Sequence, residues 1–244
     1  MKRQLKNLLF RCGLDVRRAG KRRTPHLPEF LESRGIETVL DVGANIGQFG
    51  RGLRRAGYRG HIVSFEPIKD VFATLKGVAD RDGNWEVHNY ALGSALSVGT
   101  LQISEDTVFS SLLEQTSAAQ EFDPKARVLR QESVEIKRLD DVLPSFHGGR
   151  IFLKIDAQGF EREILDGAAA SLGQILGIQA ELPLLHLYRG VWSLPDALEY
   201  LRQRDFVLSQ VQPTNYDTKD WASMVELDCI FRRMDPRDRI QDVA

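Results

Sequence analysis

The chain of 244 residues contains only two cysteines, Cys12 and Cys229, and neither lies in a metal-binding or redox spacing. It also lacks any apolar run close to the ~20 residues that span a bilayer. The short apolar stretch at residues 8–10 does not match the apolar segment of a secretory signal peptide. These absences argue against a disulfide-rich secreted scaffold and an integral membrane protein, and they predict a cytoplasmic protein with reduced thiols.

Acidic and basic residues are almost equal in number, 34 against 33, but they are unevenly distributed. Residues 1–23 hold nine basic side chains and one acid, so this segment carries +8 and the remainder −9. Apolar residues between Leu5 and Cys12 recur with the period of one helix face. The pattern predicts peripheral contact with an anionic inner membrane face, the alternative being a solvated terminus. The acidic remainder argues against nucleic-acid binding.

Strand-like and helix-like segments alternate along most of the chain, which predicts an α/β fold with a mostly parallel sheet between helices. The predicted strands are residues 36–42, 61–65, 85–90, 151–155, 175–181, 206–210 and 224–231. The predicted helices are residues 48–56, 69–79, 161–170 and 194–204. These patterns predict a basic N-terminal segment at 1–35, one catalytic domain at 36–232 and a tail at 233–244.

An insertion at residues 94–138 separates the third strand from the fourth strand of the predicted sheet. Residues 98–103 and 133–138 alternate between apolar and polar side chains, as half-exposed strands do. The polar stretch between them, residues 104–130, carries few structural signals. Long insertions of this kind often form a lid or a binding loop, and a disordered surface loop is the alternative.

A loop that begins at Asp41 is the strongest candidate for a cofactor site. Gly43 and Gly47 lie between a buried strand and a helix, where ligands approach backbone N–H groups and a helix N-terminus. A triphosphate-binding loop needs a lysine after its last glycine, and the dinucleotide fingerprint needs a glycine where this chain has Asn45. The first is absent and the second is incomplete.

S-adenosylmethionine is the third candidate ligand for this loop. It has no pyrophosphate and therefore does not need the complete glycine set, and its cationic methionine end suits Asp41. Glu66 follows the second strand, 23 residues after Gly43, where an acid can accept both ribose hydroxyls. Each acid has a simpler alternative: Asp41 as a helix cap, and Glu66 as an ordinary loop carboxylate.

Five motifs along the chain extend this interpretation. They read Leu-Asp-Val-Gly-Ala-Asn-Ile-Gly at 40–47, Ser-Phe-Glu-Pro at 64–67, Asn-Tyr-Ala-Leu-Gly at 89–93, Leu-Asp-Asp at 139–141 and Leu-Lys-Ile-Asp-Ala-Gln-Gly-Phe-Glu at 153–161. In this combination the chain resembles the FkbM family of S-adenosylmethionine-dependent methyltransferases over about residues 36–232. That family usually has Glu where this chain has Gln158. A Gln there, with the stretch at 181–190, resembles a subset that methylates sugar hydroxyls on glycolipids.

The resemblance implies a class I methyltransferase (Rossmann-like) fold, with seven strands in the order 3-2-1-4-5-7-6 and the last strand antiparallel. It implies S-adenosyl-L-methionine as the cofactor. The residues expected to bind it are Asp41, Gly43, Asn45, Gly47 and Glu66, with Ala91 and Leu92 beside the adenine.

Methyl transfer to an alcohol calls for a general base or a metal, because a protonated hydroxyl is a poor nucleophile. Asp156 ends the fourth strand and is the first candidate, with Lys154 two residues earlier on the same strand face. Glu181 ends the fifth strand, and His186 follows in the next loop. The alternatives are a helix cap at Asp156 and an exposed loop histidine. A divalent metal between Asp156 and Glu181 stays open.

The sequence gives fewer indications about the residues that bind the methyl acceptor than about those that bind the cofactor. Tyr188, Arg189 and Trp192 could form an aromatic and hydrogen-bonding wall for a sugar, or they could be ordinary loop packing. The interpretation favoured is an O-methyltransferase acting on a sugar hydroxyl of a glycolipid or other glycoconjugate. The alternatives are a nicotinamide-dependent oxidoreductase and a cofactor-binding protein without turnover.

Overall fold

The computed structural model describes residues 27–146, 148–217, 219–220, 222–235 and 238, so the predicted basic helix within residues 1–23 lies outside it. The strands are β1 Thr38–Val42, β2 His61–Phe65, β3 Trp85–His88, β4 Ala91–Leu92, β5 Ser97–Ser104, β6 Val128–Lys137, β7 Ile151–Ile155, β8 Ile175–Pro183, β9 Phe206–Tyr216 and β10 Met224–Arg233. The helices are α1 Leu27–Ser33, α2 Gln48–Arg55, α3 Lys69–Ala79, α4 Ser117–Phe122, α5 Leu139–Val142, α6 Glu161–Asp166 and α7 Leu194–Arg202.

Seven strands form the main sheet, in the order β3-β2-β1-β7-β8-β10-β9. The pairs from β3 to β8 are parallel, and β10 runs antiparallel to both of its neighbours. This confirms the α/β fold with an antiparallel last strand, and the strand order is the one that the family resemblance implies. All the parallel strands therefore end at one edge, where ligands bind in sheets of this kind.

The central strands are buried on both faces because helices cover both sides of the sheet. Leu40 and Leu153 lie in the core under α6 and α7. Val39 and Phe152 point to the other face, where they join a second core with residues of α1, α2 and α3. Two cores of this kind fix the register of β1 against β7, so the residues at their carboxyl ends are placed firmly.

Several element bounds differ from the sequence prediction. The helix predicted at 161–170 ends at Asp166, and the strand predicted at 206–210 continues to Tyr216. The extension of β9 is rich in polar residues. Its backbone N–H and C=O groups find hydrogen-bond partners through its pairing with β10. Hydrophobic periodicity could not reveal it, because ladder hydrogen bonds do not require apolar side chains.

The insertion forms a second, three-stranded sheet in the order β4-β6-β5. The polar stretch at 104–130 is structured: it contains a short 3₁₀ turn at Thr107–Phe109, helix α4 and the start of β6. Ala119 and Ala126 pack with Leu187 and Tyr188 in a small core of their own. The insertion therefore covers one side of the sheet edge. Within the described part of the chain, no helix is long and apolar enough to cross a bilayer.

Candidate active site

A cavity of about 440 Å³ lies at the carboxyl ends of the parallel strands, beneath the insertion. The loops after β1, β2 and β7 form its floor, and Thr107–Phe109 with Ser110 covers it. Its far side is formed by β8, β9 and β10. The cavity lies where the sequence placed the cofactor, and its size is typical of small-molecule sites.

The loop after β1 contains three residues with left-handed backbone conformations, of which Gly43 at φ 72° and Asn45 at φ 47° come first. A Cβ atom at Gly43 would lie 1.8 Å from the carbonyl oxygen of Asp156, so glycine lets this loop touch the loop after β7. Gly47, at φ 84°, faces Leu75 and Trp85 instead of the cavity. Gly47 therefore shapes the start of α2, while Gly43 and Asn45 line the cavity.

Glu66 is 4% exposed and lines the cavity. Its Oε2 accepts a hydrogen bond from the Asn45 N–H at 2.8 Å, and its Oε1 accepts one from the Ile68 N–H at 2.8 Å. Burial raises its pKa to about 7 in spite of these two bonds. Each oxygen keeps a further lone pair. Glu66 thus closes the loop and can still accept ligand hydroxyls.

Asp41 does not line the cavity, although the sequence analysis expects it to meet the methionine end of the cofactor. It is fully buried, its Oδ2 accepts a hydrogen bond from the Ser64 hydroxyl at 3.2 Å, and its Oδ1 lies 3.2 Å from Lys154 Nζ. The Trp85 indole N–H donates in turn to Ser64 Oγ at 2.9 Å. Asp41 therefore influences the cavity indirectly, through its ion pair with Lys154.

Lys154 connects Asp41 with Asp156. Its Nζ lies 3.3 Å from Asp156 Oδ2 and donates to the carbonyl oxygens of Val42 and Gly43. Burial alone would lower the pKa of Lys154, but the carboxylates of Asp156 and Asp41 hold it above its usual range. Lys154 is therefore a fixed positive charge that orients Asp156.

Gln158 forms hydrogen bonds with two candidate catalytic acids, Asp156 and Glu181. Its Nε2 donates to Asp156 Oδ1 at 3.0 Å and to Glu181 Oε2 at 3.1 Å, and its Oε1 accepts from the Tyr188 hydroxyl at 2.8 Å. Its backbone is left-handed at φ 51°, and its carbonyl oxygen accepts from the Ser111 hydroxyl at 2.7 Å. A glutamate here would bring a third carboxylate against two others, so the amide fits these surroundings.

Glu181 lies among other acids at the far side of the cavity. Burial raises its pKa, and the nearby carboxylates of Asp156, Glu226 and Asp228 raise it further. The pKa values of Glu226 and Asp228 are also raised, again mainly by burial. This half of the cavity therefore holds carboxyl groups that favour the protonated state until a positive charge approaches.

The remaining candidates lie apart from these acids. His186 is exposed and does not line the cavity, so the geometry does not support it as a base. Arg189 is 72% exposed and pairs with Glu114, and Trp192 packs in the core against Tyr200. Ala91 and Leu92 line the same cavity as Glu66, and their place beside an adenine stays a prediction.

The sequence analysis did not single out several cavity residues on β8, β9 and β10, among them Gln179, Asn215, Glu226 and Asp228. Glu226 and Asp228 alternate with apolar residues in a buried strand. Acidic side chains are rare in such strands, so this pattern could have indicated a functional role from the sequence. Gln179 and Asn215 gave no signal, because only pairing across β8, β10 and β9 brings them to the cavity. Among the described residues, no group of three or more His, Cys, Asp or Glu side chains is arranged to hold a metal ion.

Comparison with known proteins agrees with this geometry. The family model described as the methyltransferase FkbM domain matches residues 41–208. The chain is 29% identical over 171 residues to methyltransferase sdnD of Sordaria araneosa, covering 59% of this chain and 65% of that protein. The solved FkbM methyltransferase of Methylobacillus flagellatus KT shares the fold, with a TM-score of 0.51 and 17% identity over 81% of this chain and 43% of that one. The chain thus spans less than two thirds of either relative.

Proposed function

This chain belongs to the FkbM methyltransferase family, and we propose that it uses S-adenosylmethionine to methylate a sugar hydroxyl on a glycolipid or another glycoconjugate. One observation carries the proposal: a single cavity is lined by the buried Glu66 with Ala91 and Leu92, and also by the half-exposed side chain of Asp156. Family membership disfavours the oxidoreductase alternative, as does Asn45 in the loop.

The residues at the β1 end of the cavity fit this cofactor. Glu66 has oxygen lone pairs available for the two ribose hydroxyls, and Ala91 and Leu92 offer an apolar surface for a base. Phe65 and Tyr90 also line this end. S-adenosylmethionine supplies an electrophilic methyl group when bound, and the acid-rich remainder of the cavity suits its positive charge.

Asp156 is the residue placed to receive the proton of the acceptor hydroxyl. Its side chain is 42% exposed, while Lys154 and Gln158 each hold one of its oxygens. An oriented carboxylate beside the cavity can position the hydroxyl as well as deprotonate it. Alignment of reacting groups contributes ~7–11 kcal/mol to such reactions, and a general base adds roughly a hundred- to ten-thousandfold.

Glu181 takes a different part in this proposal. Burial and neighbouring acids raise the pKa of Glu181, which favours its protonated form. Gln158 donates to its Oε2, which leaves Oε1 for that proton. A protonated Glu181 can donate a hydrogen bond to an oxygen of the acceptor, while an oxygen of Asp156 accepts from the hydroxyl. The two carboxyl groups then orient the acceptor from opposite sides.

A mass-shift assay tests the reaction. The protein is incubated with S-adenosylmethionine and extracted glycolipids, with and without EDTA, and products are compared by mass spectrometry. We expect a sugar that has gained one methyl group on oxygen. Methylation of a nitrogen or a carboxylate instead, or no binding of S-adenosylmethionine by calorimetry, would contradict the proposal. The EDTA arm decides whether a divalent metal takes part.

Peripheral membrane contact through residues 1–23 belongs to the same proposal, because a lipid-linked acceptor lies at a membrane surface. Its support is the +8 charge of that segment. Co-sedimentation with anionic and neutral liposomes tests it, using the full chain and a chain that starts at residue 24. Equal binding of the two proteins would overturn this part of the proposal.

A further inference from the structure

The far side of the cavity carries polar side chains that methyl transfer itself does not use. Gln179 on β8, Asn215 on β9, and Glu226 and Asp228 on β10 line it, and we call these four residues the distal wall. The match to the family model ends at residue 208, before β10 begins. Three of the four residues, Asn215, Glu226 and Asp228, therefore lie beyond the matched region, on β9 and β10.

Strand pairing explains why the distal wall stands beside the candidate catalytic acids. Asp228 lies directly opposite Glu181, and Gln179 lies opposite Lys154. Glu226 is paired with Asn215 on β9. Side chains that are directly opposite one another in a sheet share a face. The distal wall therefore continues the row of Lys154 and Asp156 across the sheet towards β9.

Each amide of the distal wall forms a hydrogen bond with a neighbouring carboxyl group. Asn215 Nδ2 donates to Glu226 Oε2 at 2.8 Å, and the Gln179 side chain hydrogen-bonds Asp228. The Gln179 residue is 9% exposed, and its Oε1 has no hydrogen-bond partner among the described residues. A buried amide oxygen without a partner is unusual in a folded protein and points to a donor that arrives from outside.

Three oxygen acceptors stand together on the distal wall, namely Gln179 Oε1 and the carboxyl groups of Glu226 and Asp228. A hydroxyl has one proton to donate, whereas an ammonium group has three and also carries the charge that carboxylates attract. The charges agree with this reasoning. Lys154 lowers the pKa of Asp228 through its charge, but its ammonium group is already engaged with Asp41 and Asp156. Burial and neighbouring carboxylates raise the pKa values of Glu226 and Asp228, and an adjacent cation would relieve that repulsion.

We propose that the distal wall binds a protonated primary amine of the acceptor, so that the substrate is an amino sugar whose hydroxyl is presented to Asp156. This inference rests on the proposed function, because the amine is defined relative to the hydroxyl that is methylated. Gln179 Oε1 and the carboxylates of Glu226 and Asp228 would receive the three N–H donors of the ammonium group.

Paired probes test the amine. The full chain, saturated with S-adenosylhomocysteine, is titrated by calorimetry with methyl glucoside and with methyl glucosides in which one hydroxyl is replaced by an amine. We expect at least one amino probe to bind ten times or more tightly than methyl glucoside. Asp228→Asn should reduce that preference below threefold, and Glu226→Gln serves the same purpose if the first variant does not fold. Glu135→Gln, an exposed acid outside the cavity, is the matched control.

The outcomes separate this inference from the proposed function. Equal binding of all probes, no binding at millimolar concentration, or a preference that survives both wall variants would overturn the amine site. Binding of Mg²⁺ that Asp228→Asn abolishes would assign the wall to a metal and overturn it as well. Failure to bind S-adenosylhomocysteine would contradict the proposed function alone, since the probes can still be titrated against the protein by itself.

Discussion

The loop after β1 and the loop after β7 lie side by side at the sheet edge, and each is closed by a buried glutamate. Glu66 accepts N–H bonds at one loop, and Glu161 accepts the Ala157 and Gly159 N–H groups at the other, both at 3.1 Å. Burial raises the pKa of each glutamate to about 7. In both loops, a buried glutamate therefore accepts hydrogen bonds from backbone N–H groups of the loop.

They differ in what they present to the cavity. Glu66 comes from the neighbouring strand and lines the cavity, whereas Glu161 belongs to the helix after its own loop and does not. The left-handed residues differ too. Asn45 Oδ1 accepts from the next N–H of its own loop, while Gln158 reaches out to Asp156. The first loop therefore offers a binding surface, and the second offers reactive side chains.

The largest effect should come from removing the reactive side chain of the second loop. Asp156→Ala should lower kcat by roughly a hundred- to ten-thousandfold, because the acceptor loses its base, and leave S-adenosylmethionine affinity nearly unchanged. Methyl-transfer kinetics and calorimetry measure the two quantities, with Asp80→Ala, an exposed site, as control. Full activity in the folded variant would remove Asp156 from the mechanism.

The closing glutamate of the second loop should affect stability with a defined pH dependence. The pKa of Glu161 rises from 4.5 to about 7, so its contribution to folding is complete below pH 4.5 and is lost as the pH rises through 7. Wild type should lose roughly 3 kcal/mol of unfolding free energy from this group between pH 4.5 and 8. Glu161→Gln cannot ionise and should lack that loss.

Urea unfolding at a series of pH values measures this difference. Glu135→Gln, an exposed acid, should keep the wild-type pH dependence. If Glu161→Gln shows the same slope as the wild type, then the pKa of Glu161 does not differ between the folded and unfolded states and the prediction is wrong.

The closing glutamate of the first loop should affect cofactor affinity instead. Glu66→Ala removes the acceptor of two backbone N–H groups and of the ribose hydroxyls, and should weaken S-adenosylmethionine binding roughly ten- to hundredfold. Glu66→Gln keeps the size and one oxygen, so it should lie between Ala and wild type. Equal calorimetric affinity for all three proteins would contradict the assigned role.

The smallest effect should come from the contact between the first loop and the insertion. Thr107 Oγ1 accepts a hydrogen bond from Asn45 Nδ2 at 3.1 Å. Thr107→Val keeps the shape and removes a neutral bond worth ~0.5–1.5 kcal/mol, so affinity should fall roughly two- to tenfold. Thr74→Val, on the exposed side of α3, is the control. An unchanged affinity would mean that the insertion covers the cavity without supporting the loop.

The first loop was far more predictable from the sequence than the far side of the cavity. Gly43, Asn45 and Glu66 stand in local motifs whose spacing follows from one strand–loop–helix unit. Asp228 and Asn215 reach the site only through the register of antiparallel strands that are distant in sequence. That register depends on packing across the whole sheet, which no local pattern encodes.

The burial of Asp41 was missed for a related reason. The sequence shows an acid at the end of a strand, but it does not show which way that side chain points. Period-two alternation in β1 directs Asp41 to the same face as Ser64 and Lys154, with which it is paired across the sheet. The assignment of His186 failed similarly, because a loop residue close to the site in sequence can still face solvent.

Trp85, Ser64, Asp41 and Lys154 form a continuous row of polar contacts across four strands. The emission of an indole responds to the charges and hydrogen bonds around it, so we expect the fluorescence of Trp85 to report on this site. Changes in charge at Asp156 should therefore be visible in the fluorescence of a residue that touches neither substrate nor cofactor.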